Sequence, residues 1–86
     1  MTTFHSLNVT LHDQTAEKVP PYYYSKIMNL FMHMYMKADL MGIEAIFRLA
    51  EWMSESNMTD EEALEAFSIR LMNHPQRDYY LSFIKT

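Results

Sequence analysis

Apolar positions crowd residues 27–36, Ile-Met-Asn-Leu-Phe-Met-His-Met-Tyr-Met, where eight of ten are apolar or aromatic and four are methionine. At helical spacing they form two stripes. Ile27, Leu30, Phe31, Met34, Ala38 and Met41 make one. Met28, Met32, Tyr35 and Met36 make a second on another side, leaving Lys26, Asn29, His33 and Lys37 as a narrow polar seam. A helix this apolar must be covered from more than one direction. Pro20-Pro21 suits its start, because the first turn tolerates the missing N–H of proline. The pattern predicts a helix over 21–40.

Upstream, residues 4–12 alternate. Leu7, Val9 and Leu11 fall on one side, Asn8, Thr10 and His12 on the other. With the β-propensity of Val and Thr this predicts a short strand, followed by a polar loop, so that 1–19 reads as strand and loop. A lone strand needs a partner: the C-terminal segment, the same strand of a second subunit, or another protein's sheet edge.

Downstream, the break near residue 40 has two readings. Gly42 closes the first helix in a left-handed conformation, or Asp39 caps the next one. A second helix is predicted over 43–55. Ile43, Ile46, Phe47, Leu49, Ala50 and Met53 form its apolar stripe, Glu44, Arg48, Glu51 and Glu55 its polar face, and Ala45 and Trp52 lie outside both. Ser56–Met58 reads as a turn. Thr59-Asp60-Glu61-Glu62 then has the form of a capping box, with Met58 and Ala63 at the two staple positions. The third helix is predicted over 60–73, with Ala63, Leu64, Phe67 and Leu71 inward and Ile69 and Met72 pointing elsewhere. His74-Pro75 ends it. In the tail, Tyr79, Leu81 and Phe83 alternate as in a strand, while the Pro75 start favours a helix. We read 75–84 as a short helix, with a strand pairing to 4–12 as the alternative. The fold class is therefore mainly α: a small bundle of three to four short helices preceded by a short N-terminal β-strand, in a single domain over 1–86.

Composition narrows the function classes. At 86 residues such a chain buries only roughly 60–65% of its unfolded surface. A 49% hydrophobic and 21% charged make-up is that of a folded domain. Without cysteine there is no disulfide, thiolate nucleophile or cysteine-ligated zinc, and a reducing cytoplasm is the expected home. No apolar run approaches the roughly 20 residues of a membrane span, and the N-terminus lacks a secretory pattern. Seven Lys and Arg spread along a chain of net charge −4 disfavour binding to a phosphate backbone. The short turn between the second and third helices suggests a helix-turn-helix. Its reading helix, however, would lead with Asp60, Glu61 and Glu62 against phosphate. Eleven acids against seven bases is too mild for a nucleic-acid mimic.

Catalysis finds little support. Ser6 beside His5 and Ser25 near His33 are the only nucleophile–base pairings to consider, and one glycine cannot build a phosphate loop. His5, His12, His33 and His74 lack zinc spacing; His33 is expected in the solvated seam and His74 at a helix end near the last carbonyls. Met32-His33-Met34-Tyr35-Met36 offers soft ligands for Cu(I), but on a helix only Met32 and Met36 share a side. No cofactor or metal is expected.

The surplus of apolar surface carries the functional expectation. Leaving it wet costs about 25 cal/mol per Å². A homodimer joined largely through the first helix would cover it. The expectation is a small non-enzymatic regulator or inhibitor that binds an unidentified protein target, a type associated with phage- and plasmid-encoded proteins. The interface candidates are Met28, Met32, Tyr35, Met36, Trp52, Ile69 and Met72, with Trp52 and Tyr35 as anchors. A structural subunit of a larger complex is the main alternative, and a Met/His Cu(I) binder a lesser one.

Overall fold

The computed structural model describes residues 4–15, 18–55 and 57–85. Among them the chain forms five helices: α1 (Phe4–Thr15), α2 (Pro21–Met36), α3 (Leu40–Glu55), α4 (Asp60–Arg70) and α5 (Arg77–Lys85). No strand is present among the described residues. The predicted N-terminal β-strand is thus corrected to a helix, and the C-terminal segment is helical as well. Residues 1–3, 16 and 17 of the expected strand and loop, and Ser56 of the expected turn, lie outside the described residues.

The strand reading of 4–12 failed because Leu7 and Leu11 satisfy two periods at once. They are even-numbered steps along a strand and one turn apart on a helix. Val9 separates the two: a strand would bury it with its neighbours, yet it is 43% exposed while Leu11 is fully buried. The hydroxyls of Thr10 and Thr15 donate to the carbonyls of Ser6 and Leu11, four residues back, at 2.9 Å each. This satisfies them inside a helix.

α2 buries Ile27, Leu30, Phe31 and Met34, one of the two expected stripes. Ala38 and Met41, assigned to the same stripe, lie beyond the helix end and are exposed. The helix stops at Met36 in a Schellman motif. The Asp39 N–H reaches the Met34 carbonyl and the Ala38 N–H the Tyr35 carbonyl, both at 2.9 Å. Ala38 takes the left-handed position, at φ 53°.

Asp39 then caps α3: its Oδ1 accepts the Gly42 N–H at 2.9 Å. Of the two readings of this junction, the structure has the Asp39 cap, and Gly42 sits inside the first turn of α3. A Cβ on Gly42 would lie 2.5 Å from the Asp39 Oδ2 and 3.1 Å from the Met34 Cγ, so the close approach of the capping carboxylate requires glycine. α3 buries Gly42, Ile43, Ala45, Ile46, Leu49 and Ala50 and packs against α1, α2 and α4. At the start of α4 both halves of the capping box form: the Thr59 hydroxyl accepts the Glu62 N–H, and the Glu62 carboxylate accepts the Thr59 N–H. α4 ends at Arg70, three residues earlier than expected, and α5 lies on α2 and α4.

The helices alternate in direction between two poles. At one, the starts of α2 and α4 meet the end of α5 around a cavity lined by Tyr22, Glu61 and Ile84. At the other, the α2–α3 junction meets the α4–α5 turn, where Asp39 contacts His74 and Tyr80. The start of α1 comes to this second pole too, since Leu7 lines a dent with Tyr35 and Leu40. The core between the poles includes Phe31, Ile46, Leu49, Phe67 and Tyr80, all fully buried.

Candidate interaction surface

The second pole collects most of the large apolar side chains that the fold leaves exposed. Met36 is 80% exposed at the end of α2, and Leu40 is 78% exposed at the start of α3. Met41 follows Leu40, and Met72 sits just past the end of α4; both are exposed. Tyr79 at the start of α5 and Ile69 near the end of α4 are exposed as well, with Met32 one turn back from the pole on α2. Between α1 and the α2–α3 junction lies an apolar dent of about 490 Å³ lined by Leu7, Tyr35, Ala38, Leu40 and Ile43. Exposed apolar side chains gathered at one pole, together with an apolar dent, mark a candidate contact surface.

The seven residues singled out by patterning divide in two. Met32, Met36, Ile69 and Met72 are exposed and belong to this pole. Met28, Tyr35 and Trp52 are half-buried and pack against the core. The Thr15 hydroxyl faces the Met28 sulfur at 4.0 Å, so α1 covers that part of the second stripe. Patterning missed Leu40, Met41 and Tyr79. Spacing puts Met41 in the first apolar stripe of α2, Leu40 in none, and Tyr79 in a tail whose alternation singles out no exposed position. The available signal was Asp39: a cap there puts Leu40 and Met41 in the first turn of a new helix, where neighbouring positions point apart.

Charges that border the pole are neutralised locally. Arg70 is paired with Glu44 across α3 and α4, and Arg77 with Asp78 at 3.3 Å. The Lys37 ammonium stands 5.6 Å from the centre of the Tyr79 ring. Arg48 pairs with Glu51 at 2.9 Å, and Glu44 with Arg70.

Beneath the patch a polar cluster fastens the two junctions together. Asp39 Oδ2 accepts the Tyr80 hydroxyl at 2.7 Å and the His74 Nε2–H at 2.6 Å, while its Oδ1 caps α3. The Gln76 N–H donates to His74 Nδ1 at 2.9 Å, which puts the ring proton on Nε2, facing Asp39. The His74 backbone N–H donates to the carbonyl of Leu71, the cap of α4, at 2.9 Å, while its side chain, expected near those carbonyls, reaches across to the other junction. Burial acts to raise the Asp39 carboxyl, but the hydrogen bonds from His74, Tyr80 and Gly42 outweigh it and hold it below its ordinary value. For Tyr80, burial and then the bond to the Asp39 carboxylate push the phenol up. Both Asp39 oxygens, both His74 nitrogens and the Tyr80 hydroxyl are engaged. The arrangement fastens the two junctions to each other.

The Met-His-Met-Tyr-Met run does not converge. Met34 is buried, Met32 and Met36 face outward, and the His33 ring packs edge-on to Phe83 at 5.1 Å. Among the described residues no three His, Asp or Glu side chains are grouped to hold a metal ion. No described helix is long and apolar enough to cross a membrane. Comparison with protein-family models, with curated proteins and with solved structures found no match.

Proposed function

We propose that this chain is a protein–protein interaction module without chemistry of its own, acting as a regulator or inhibitor by occupying a protein surface. The observation that carries the reading is the concentration of exposed Met36, Leu40, Met41 and Met72 at one pole. Methionine supports it further, because a flexible, polarizable thioether adapts to a partner's contours. The Asp39–His74–Tyr80 cluster serves the same end by holding rigid the two junctions that display these residues. A cytoplasmic site of action belongs to the same proposal and rests on the absence of cysteine.

The test is recovery of a tagged chain from its native host, alongside Met36→Glu and Glu61→Lys variants. A bound protein should be lost with Met36→Glu and retained with Glu61→Lys, which alters the opposite pole. Equal retention by both variants would remove the apolar pole as the docking surface.

A further inference from the structure

We infer that the occupant of the apolar pole is a second copy of this chain, seated pole to pole across a two-fold axis; this rests on the docking reading of the same surface. An isologous contact needs one patch that complements itself, so that each copy gives what the other receives. The pole has both parts. Met36 stands out with 80% of its surface free, and at the same pole lies an apolar dent of about 490 Å³ lined by its chain neighbour Tyr35 together with Leu7, Leu40 and Ile43. Met36 of each copy fills the dent of the other, and an unbranched side chain reaches it without strain.

Area agrees. At roughly 200 Å² for a large side chain, the exposed fractions of Met36, Leu40, Met41, Met72 and Tyr79 offer on the order of 600 Å² of apolar surface, with polar neighbours of the rim adding the rest. A standard interface takes about 800 Å² from each partner.

Charge chooses between a copy and a charged partner. Arg70 and Arg77 already have carboxylate partners at the pole, and Lys37 lies by the Tyr79 ring. A strongly charged partner would therefore find little to pair with, whereas a surface equally neutral and apolar meets no opposition. The acidic residues Asp60, Glu61 and Glu62 open α4 at the other pole. With a net charge of −4 per chain, pole-to-pole pairing sends these acidic ends outward, and repulsion between the copies is least in that arrangement.

The experiment combines mass in solution with cross-linking, which the cysteine-free chain makes simple. Light scattering at tens of micromolar is expected to give twice the 10.3 kDa chain mass. Met36→Glu and Leu40→Glu should return it to one chain with helical circular dichroism unchanged. Met36→Cys mixed with Leu40→Cys should form a mixed disulfide-linked dimer under mild oxidation, because residue 36 of one copy meets the dent beside residue 40 of the other, and Glu61→Cys mixed with either should not; this holds even if a glutamate variant misfolds. A monomeric wild type, or cross-linking of Met36→Cys with Glu61→Cys as fast as with Leu40→Cys, overturns the inference. A monomeric wild type that still loses a bound host protein on Met36→Glu would leave the docking reading standing and this inference fallen. A monomer that loses nothing ends both.

Discussion

Ala38 shows how single residues set the cost of the α2–α3 junction. Its φ of 53° closes the Schellman motif. That conformation costs a residue with a Cβ about 1–2 kcal/mol, against about 0.5–1 kcal/mol of extra chain entropy lost by glycine. Ala38→Gly is therefore expected to raise stability by roughly 0.5–1 kcal/mol. The readout is a higher urea midpoint at unchanged slope, and a lower midpoint would refute it. Asp39 governs the response to acid. Its folded carboxyl is held below its ordinary value, so near that value the unfolded chain binds more protons than the folded one. The stability it supplies is complete above about pH 4 and is lost as pH falls through the folded value. Asp39→Asn should weaken the fold at neutral pH, because an amide –NH₂ would face the donors of His74 and Tyr80. It should also flatten the acid limb of stability below about pH 4. Urea unfolding at stepped pH measures both effects, and an unchanged acid limb would clear Asp39 of the role. Tyr80 works in the opposite sense. Its phenol is raised, so its contribution is present below about pH 10 and lost as pH rises further.

The helices differ in how openly the sequence declares them. The α4 start was legible in full, because Thr59 and Glu62 lie within one turn and need no tertiary partner. The buried stripe of α2 was legible from spacing alone. α1 was not: Leu7 and Leu11 fit either period, and only their burial against α2 and α3 removes the ambiguity. The α2–α3 junction was legible in part: a local Asp39 cap was one of its two readings, but what fastens Asp39 was not visible. Asp39 draws its partners from His74 and Tyr80, more than thirty residues along the chain, and no local pattern shows such contacts. The helical reading of α1 makes a prediction that a strand would not share. Leu11→Ala should cost roughly 2–4 kcal/mol, as for a fully buried leucine. Val9→Ala should change stability by less than about 0.5 kcal/mol, since Val9 looks outward and alanine favours a helix. Denaturant unfolding of the two variants decides it, and comparable losses at both positions would contradict the helix.

At the scale of the molecule, apolar surface and negative charge have been sorted to opposite poles. That an excess of apolar surface existed was readable from the Ile27–Met36 run; where it would emerge was not. Its location depends on the α2–α3 junction, which carries Leu40 and Met41, meeting the α4–α5 turn, which carries Met72, a matter of packing and not of periodicity. The same packing put Met28, Tyr35 and Trp52 against the core, although their spacing alone had placed them outside it. The consequence for stability is thermodynamic. If folded chains pair through the pole and unfolded chains do not, pairing draws the equilibrium towards the folded state by mass action. The melting temperature of the wild type should then climb with protein concentration. For a small domain, each kcal/mol of linkage is worth roughly 4–8 °C. Met36→Glu should melt at a temperature independent of concentration, and at high dilution it should match the wild type, because an exposed position contributes little to the isolated fold. Calorimetry over a hundredfold concentration range separates the cases. A wild-type melting temperature that stays level across that range would mean the apolar pole faces water in the working protein, and that its methionines are held exposed for some purpose other than pairing.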